Sequence, residues 1–303
     1  MSSENSSAHR DSGLGVVLIA GSAVAYSTAG FFTRLIPVDL WTLIFWRGLF
    51  STGFLLAVAH VRHGRLALRP FLKLDRWGWI AAGFSTAAMF CYLAALRNTS
   101  VADVAIIYGT APFVTAAIAV IVLGERTTPM TLWCSAVALV GVALMFAGSS
   151  VSRALDGDLL ALGMTVLMAL MIIATRRSRS ASSLPIAAIS SLVSSIVAAP
   201  LAHPARPDLL QLAELALFGI TQLGLGLLLL IAGTKRLSAS RVALIGGLDV
   251  PLAPIWVWIA FAETPSSATV AGGVTVIAAV ILNTLLSNSQ RRARPPNPID
   301  DAV

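Results

Sequence analysis

The stretch LAALRNTSVADVAIIYGTAPFVTAAIAVIVLGERTTP, residues 93–129, returns as IAGTKRLSASRVALIGGLDVPLAPIWVWIAFAETPSS at residues 231–267. The correspondence runs without a gap over 93–144 and 231–282, at a constant shift of 138 residues. It pairs Ala94 with Ala232, Ser100 with Ser238, Val104 and Ala105 with Val242 and Ala243, Gly109 with Gly247, Ile121 with Ile259, and Glu125 with Glu263. Matches among Ala, Val and Leu mean little between two apolar segments. The Ser, Gly and Glu matches carry the duplication. An apolar chain built from two related halves is the expected pattern of a secondary transporter, whose site lies between the repeats.

Composition agrees. Of 303 residues 57% are hydrophobic and 12% charged, whereas soluble domains carry roughly a quarter charged residues. Most of the apolar surface must therefore face lipid. The net charge of +7 does not indicate nucleic acid, because the basic residues sit in short gaps between apolar runs instead of on one soluble face. Cys91 and Cys134 fall inside apolar stretches at different expected depths and read as small buried side chains without a disulfide.

A helix needs about 20 mainly apolar residues to cross the hydrocarbon layer. Ten stretches meet that need, from Leu14, Leu40, Trp77, Ala102, Thr131, Leu159, Leu184, Leu212, Val242 and Thr269 to Thr33, His60, Leu96, Gly124, Gly148, Thr175, Leu201, Thr234, Ala262 and Leu286. The expected fold is an all-α integral membrane protein of ten transmembrane helices in two five-helix repeats, residues 13–148 and 159–286. An external linker, 149–158, joins them. Residues 1–12 and 287–303 are expected to be disordered. The first apolar run lacks an A-x-A cleavage signal and reads as an uncleaved helix.

Charge sets the orientation. With the N-terminus in the cytoplasm, the inner side receives Arg10, Arg62, Arg65, Arg69, Lys73, Arg76, Arg126, Arg176, Arg177, Arg179, Lys235, Arg236, Arg241, Arg291, Arg292 and Arg294. The outer side receives only Arg34, Arg97, Arg153 and Arg206. This bias places both termini in the cytoplasm of a multi-pass protein of the inner membrane. Five helices per half, an odd number, then makes the second repeat inverted.

Two ionisable residues lie well inside predicted helices: Arg47 in the second and Asp249 in the ninth. A charge at such depth is costly unless paired or facing water, which makes each a substrate-cavity candidate. Their expected depths differ by roughly 10 Å, so a direct pair requires a helix boundary displaced by a turn. Around Asp249 the run GGLDVPLAP combines two helix-weakening glycines with Pro251 and Pro254. The fourth helix carries Tyr108, Gly109, Thr110 and Pro112 at nearly the matching place. Interrupted helices at corresponding positions of two halves point to a substrate site. Tyr26, Ser27 and Thr28 in the first helix and Gln222 in the eighth could contact substrate or bond neighbouring helices. Glu125 and Glu263, each followed by a Thr-Pro pair, read as structural residues of a helix turn.

Other chemistries lack their residues. GLLLLIAGTK at 226–235 has no Gly-Lys-Ser/Thr, so ATP-driven transport is unsupported. His9, His60, His63 and His203 have no metal-ligand spacing, and no cluster of acids supports an intramembrane enzyme. No catalytic residue, metal or cofactor is expected.

The segments LWTLIFWRGLF, YLAALRNTSVADVAIIYGTAPF, LGERTTP with the following Gly141-Val142, and RLSASRVALIGGLDVPLAPIWVWIAFAETPSSA resemble the drug/metabolite transporter superfamily, in its EamA-type branch, over residues 13–286. The resemblance implies a central cavity among helices one, three, four, six, eight and nine, and export of a small metabolite such as an amino acid, another amphipathic compound or a drug. Tyr26 stands where many members have tryptophan. Proton antiport is the expected coupling, since Asp249 is the only acidic residue deep in a helix. The alternative is a channel or a non-transporting scaffold of the same fold. Partners are a small-molecule substrate and lipid, with a homodimer left open.

Overall fold

The computed structural model describes residues 2–64, 71, 73–124, 129–148, 152–178, 183–237 and 239–293. Glu125 and the tail from 294 lie outside the described residues. Within them the chain is helical and contains no strand. The first half runs α1 (Ser2–Ser27), α2 (Ala29–Leu35), α3 (Leu40–His63), α4 (Arg76–Asn98), α5 (Val101–Gly109), α6 (Ala111–Leu123) and α7 (Pro129–Gly148). The second runs α8 (Ser152–Arg177), α9 (Ser183–Ala198), α10 (Leu209–Leu217), a π-helical segment (Phe218–Leu225), α11 (Gly226–Thr234), α12 (Ala239–Gly246), α13 (Asp249–Phe261) and α14 (Ser267–Ala293).

Helix starts follow side-chain chemistry. Asp39 accepts the Thr42 N–H at 2.9 Å and opens α3, Asp75 accepts the Gly78 N–H at 3.0 Å and opens α4, and Ser100 accepts the Asp103 N–H at 3.0 Å and opens α5. Each satisfies a donor that the first turn leaves unpaired, worth about 1 kcal/mol. α1 starts at Ser2 and α14 continues to Ala293. Once a helix is nucleated, each added residue gains a hydrogen bond without a new nucleation cost.

Among the described residues five helices are long and apolar enough to span a bilayer: Gly13–Leu35, Leu40–Arg62, Arg76–Asn98, Leu155–Arg177 and Leu209–Thr234. Val101–Gly109 with Ala111–Val122, bent by 41°, makes a sixth when the pair is counted as one span. The other four expected spans correspond to shorter apolar helices, Trp133–Leu144, Ser183–Ala198, Asp249–Phe261 and Ser267–Leu282. Two causes of shortness are visible. α13 loses its first turns to a break before Asp249, and α9 stops at Ala198, three residues before its expected end. Ile121, Trp133, Leu209, Ile259 and Val274 are exposed on the outside of the bundle, a surface suited to lipid and not to water.

The breaks fall at equivalent places in the two halves. α5 yields to α6 at Thr110 and α12 to α13 at Leu248, again 138 residues apart. Pro112 has no N–H for the Tyr108 carbonyl and Pro251 none for Gly247, so the regular ladder cannot continue. Thr110 donates its hydroxyl to the Ile107 carbonyl at 2.6 Å. Both helices end on a left-handed residue, Gly124 at φ 67° and Ala262 at φ 54°. Packing repeats as well: α4 lies along α8, and its counterpart across the repeat, α11, lies along α1. α3 packs on α9, and α7 on α14.

Small residues allow these approaches. A Cβ on Gly48 would lie 2.6 Å from the Ser191 carbonyl, and Ser195 of α9 donates to the Phe45 carbonyl at 2.9 Å. With little hydrophobic drive between helices in lipid, such contacts hold the pair together.

Candidate functional site

A cavity of about 500 Å³ runs through the middle of the bundle. Both halves build it: α1, α3, α4 and α5 from the first, α8, α9, the π segment, α11 and α13 from the second. Most of its wall is apolar. Met164, Met168 and Met171 stand at i, i+4 and i+7 on α8, a spacing that sets them on one helical face. Ser85, Met89 and Tyr92 form the same kind of stripe on α4. Thioether side chains are polarizable and adaptable, so this wall can accommodate apolar groups of varied shape.

Arg47 of α3 enters the cavity although it is only 2% exposed. Its Nη2 donates to Gln222 Oε1 at 2.5 Å, and its guanidinium carbon lies 4.8 Å from the centre of the Phe218 ring. Both partners belong to the π segment. Insertion of a π turn re-aims side chains relative to an α-helix and recurs at functional sites. The close approach depends on Gly219, where a Cβ would sit 3.1 Å from the Ser51 nitrogen and nearer still to the Arg47 carbonyl. Nε and Nη1 of Arg47 have no hydrogen-bond partner among the described residues.

Asp249 is the first residue of α13 and also lines the cavity. Its carboxylate lies beside the backbone N–H groups of the first turn of α13. Among the described residues no ion pair joins it to Arg47. Tyr26 and Tyr92 instead interact electrostatically with both charges, and Tyr108 with Asp249. The polar patch is thus a cation and an anion held apart with phenols beside them.

Near one end of the cavity the two halves are tied together. Near Leu96 and Val101, Arg34 of α2 donates Nε to Glu263 Oε2 at 2.9 Å and Nη2 to the Thr99 carbonyl at 2.9 Å, while Nη1 bonds the Leu96 carbonyl. Glu263 Oε1 also accepts the Val101 N–H at 2.9 Å. The opposite end carries Thr175, Arg176 and Ser183. Glu263, selected from sequence as a structural residue of a helix turn, serves the start of α5 in the other half. Ser266 caps α14, accepting the Thr269 N–H at 3.0 Å. Glu263 lies too early in the connection to reach those amides while it is engaged by Arg34.

Of the residues selected from sequence, Tyr26, Arg47, Tyr108, Gln222 and Asp249 meet at the cavity. Thr110, Pro112 and Pro251 do not line it. Thr110 spends its hydroxyl on a backbone carbonyl, and both prolines are exposed on the outer side of their breaks, where they bend the backbone that presents Tyr108 and Asp249. Tyr92, Phe218 and the methionine row were not among the candidates. The i, i+4, i+7 spacing of the methionines was a usable signal; nothing in FGITQLGL announces a π turn. Ser27, for its part, accepts the Trp256 indole N–H at 2.9 Å and so joins α1 to α13.

No curated protein matches the chain significantly. One solved crystal structure, described only as that of a protein, superposes with a TM-score of 0.63 over 91% of this chain and 98% of its own at 18% identity, a likeness of fold alone. The EamA-like transporter family matches residues 13–147 and again 155–285, one match per half. With both halves matched and a cavity between them, the chain is a multi-pass membrane protein that belongs to the EamA-like transporter family, within the drug/metabolite transporters.

Proposed function

We propose that the protein is a secondary active exporter that moves a small amphipathic metabolite across the cytoplasmic membrane by alternating access. The observation that carries this reading is the cavity itself, apolar along most of its wall, with Arg47 and Asp249 at separate points and each beside an irregular helix. Apolar walls with a few convergent polar groups are the usual make-up of a small-molecule site.

The two halves form inverted repeats of five spans, with both termini cytoplasmic. The charge bias of the loops supports that orientation, and the reciprocal packing of α4 on α8 and α11 on α1 supports the symmetry. In this orientation the Arg34–Glu263 tie closes the outer end, and the cavity reaches towards the cytoplasm past Thr175 and Arg176. Exchange of conformation between the halves would release the tie and close the other end, without nucleotide hydrolysis. Asp249 couples the cycle to protons, as the acidic residue within the cavity wall. The deciding measurement is uptake and counterflow in proteoliposomes against a panel of amino acids, nucleosides and cationic drugs. Saturable flux accelerated by trans-substrate supports a carrier. Flux linear in concentration and indifferent to trans-substrate indicates a channel, and absence of flux a scaffold.

A further inference from the structure

We propose that Arg47 is the receptor for an anionic group of the substrate, so that the transported compound is a carboxylate or similar oxyanion on an apolar body. The inference rests on reading the cavity as the transport site and adds to it the charge of the cargo.

A guanidinium stays protonated in a protein and offers five N–H donors. Here the group is 2% exposed and faces the cavity, yet among the described residues only Nη2 has a hydrogen-bond partner. Gln222 supplies a neutral oxygen and Phe218 a ring face. Both orient the cation, and neither neutralises it. Among the described residues Asp249 is the one carboxylate in the cavity wall, and it stands at the start of α13 without forming a pair with Arg47. An uncompensated buried charge is strongly unfavourable, whereas a hydrogen-bonded pair inside a low-dielectric site is held well. Nε and Nη1 are therefore donors set for an acceptor that enters with the ligand.

The rest of the cavity restricts what accompanies that acceptor. Met89, Met164 and Met168 offer apolar surface, and Tyr26 and Tyr92, each sensing both charges, line the same cavity. A carboxylate attached to an aliphatic or aromatic body satisfies Arg47 and covers the methionine wall together. A compact hydrophilic anion would leave that wall uncovered. A purely cationic compound would place like charge beside Arg47.

The test uses purified full-length protein and three probes of one shape: phenylacetate, phenylacetamide and benzylamine. Binding is followed by thermal shift and by protection of an Ala105→Cys variant, lacking Cys91 and Cys134, from a soluble thiol reagent. Phenylacetate should bind at least about tenfold more tightly than the amide or the amine, the scale of one charge-assisted contact. Arg47→Gln should weaken phenylacetate far more than the amide and so remove that preference, and Arg47→Lys should retain part of it. If Arg47→Gln does not fold, the wild-type ranking of the three probes decides alone. Equal binding of acid and amide, or preference for benzylamine, overturns the assignment. Reactivity of Ala105→Cys separates the two levels of the argument. A reactive thiol without carboxylate preference defeats only the anion assignment; an unreactive thiol with no probe bound defeats the transport-site reading and this inference with it.

Discussion

Arg34 and Glu263, 229 residues apart in sequence, form an ion pair of 2.9 Å that joins α2 to the end of α13 across the two halves. Each side chain is about a quarter exposed, so the charge pair alone is worth no more than about 1 kcal/mol. The tie is stronger than the pair because Arg34 also holds the Leu96 and Thr99 carbonyls, and Glu263 the Val101 N–H.

Glu263→Ala should consequently destabilise the protein more than Glu263→Gln, which keeps an acceptor for Val101 and loses only the charge. The expected costs are about 2 and about 1 kcal/mol, read as melting temperatures in detergent. Equal melting of both variants and wild type would show that the tie contributes nothing to the closed end.

Ala262 is the only described non-glycine residue at positive φ, and its counterpart in the first half is Gly124. A Cβ in the left-handed region costs roughly 1–2 kcal/mol, of which added chain entropy in the unfolded state offsets part. Ala262→Gly should raise stability by about 0.5–1 kcal/mol and leave transport unchanged. A lower melting temperature would contradict the left-handed turn.

Gly219→Ala tests how Arg47 is held. The added carbon meets the Arg47 carbonyl and the Ser51 nitrogen, both backbone atoms that cannot swing aside. Overpacking of this kind costs about 1–3 kcal/mol and pushes α3 away from the π segment. Stability and substrate affinity should fall together. Gly53→Ala on α3, where no atom lies within 4 Å of the added carbon, should be silent.

The large-scale organisation was legible because it is written in local chemistry that repeats. Gly109 and Gly247, with a proline three or four residues on, mark both breaks, and Asp39 and Asp75 cap the helices they precede. The same signals misplaced the finer roles. Thr110, Pro112 and Pro251 were selected for lying near a break, but a break is made by residues whose side chains serve the backbone, and those that benefit, Tyr108 and Asp249, sit a turn or less away. Glu263 read only as a residue of a helix turn, since sequence shows what is next and not what is opposite. Its partners Arg34 and Val101 lie 229 and 162 residues away. The π segment carries no residue pattern of its own, so the contact of Gln222 with Arg47 had no sequence signal beyond an amide in an apolar run.

Outside the spans, Asp39 gives a pH dependence of known sign. Burial alone would raise its carboxyl; hydrogen bonds from the Thr42 side chain and backbone, the nearby His203 and the Trp41 amide outweigh it and hold the group below the ordinary aspartate range. A depressed carboxyl contributes stability above its unfolded value, and that contribution disappears as pH falls through the folded one. Wild type should lose a small increment of stability in that acid window, and Asp39→Asn, already lacking it at neutral pH, should lose less. Parallel acid melting curves for the two proteins would remove Asp39 from the account.

Asp249→Asn separates position from charge in the coupling mechanism. The amide keeps the size of the side chain, so the break, the start of α13 and the cavity wall should persist and the protein should insert and melt as wild type does. What it loses is the ability to release and take up a proton within the cavity. Wild-type flux should accelerate when a proton gradient is imposed on proteoliposomes, and flux by the variant should be indifferent to it while exchange of substrate for substrate continues. That split, exchange retained and proton-driven flux lost, is not produced by simple misfolding, which removes both. Variant flux that follows the proton gradient as wild type does would reduce Asp249 to a structural residue at a helix start and require the coupling group to be sought elsewhere.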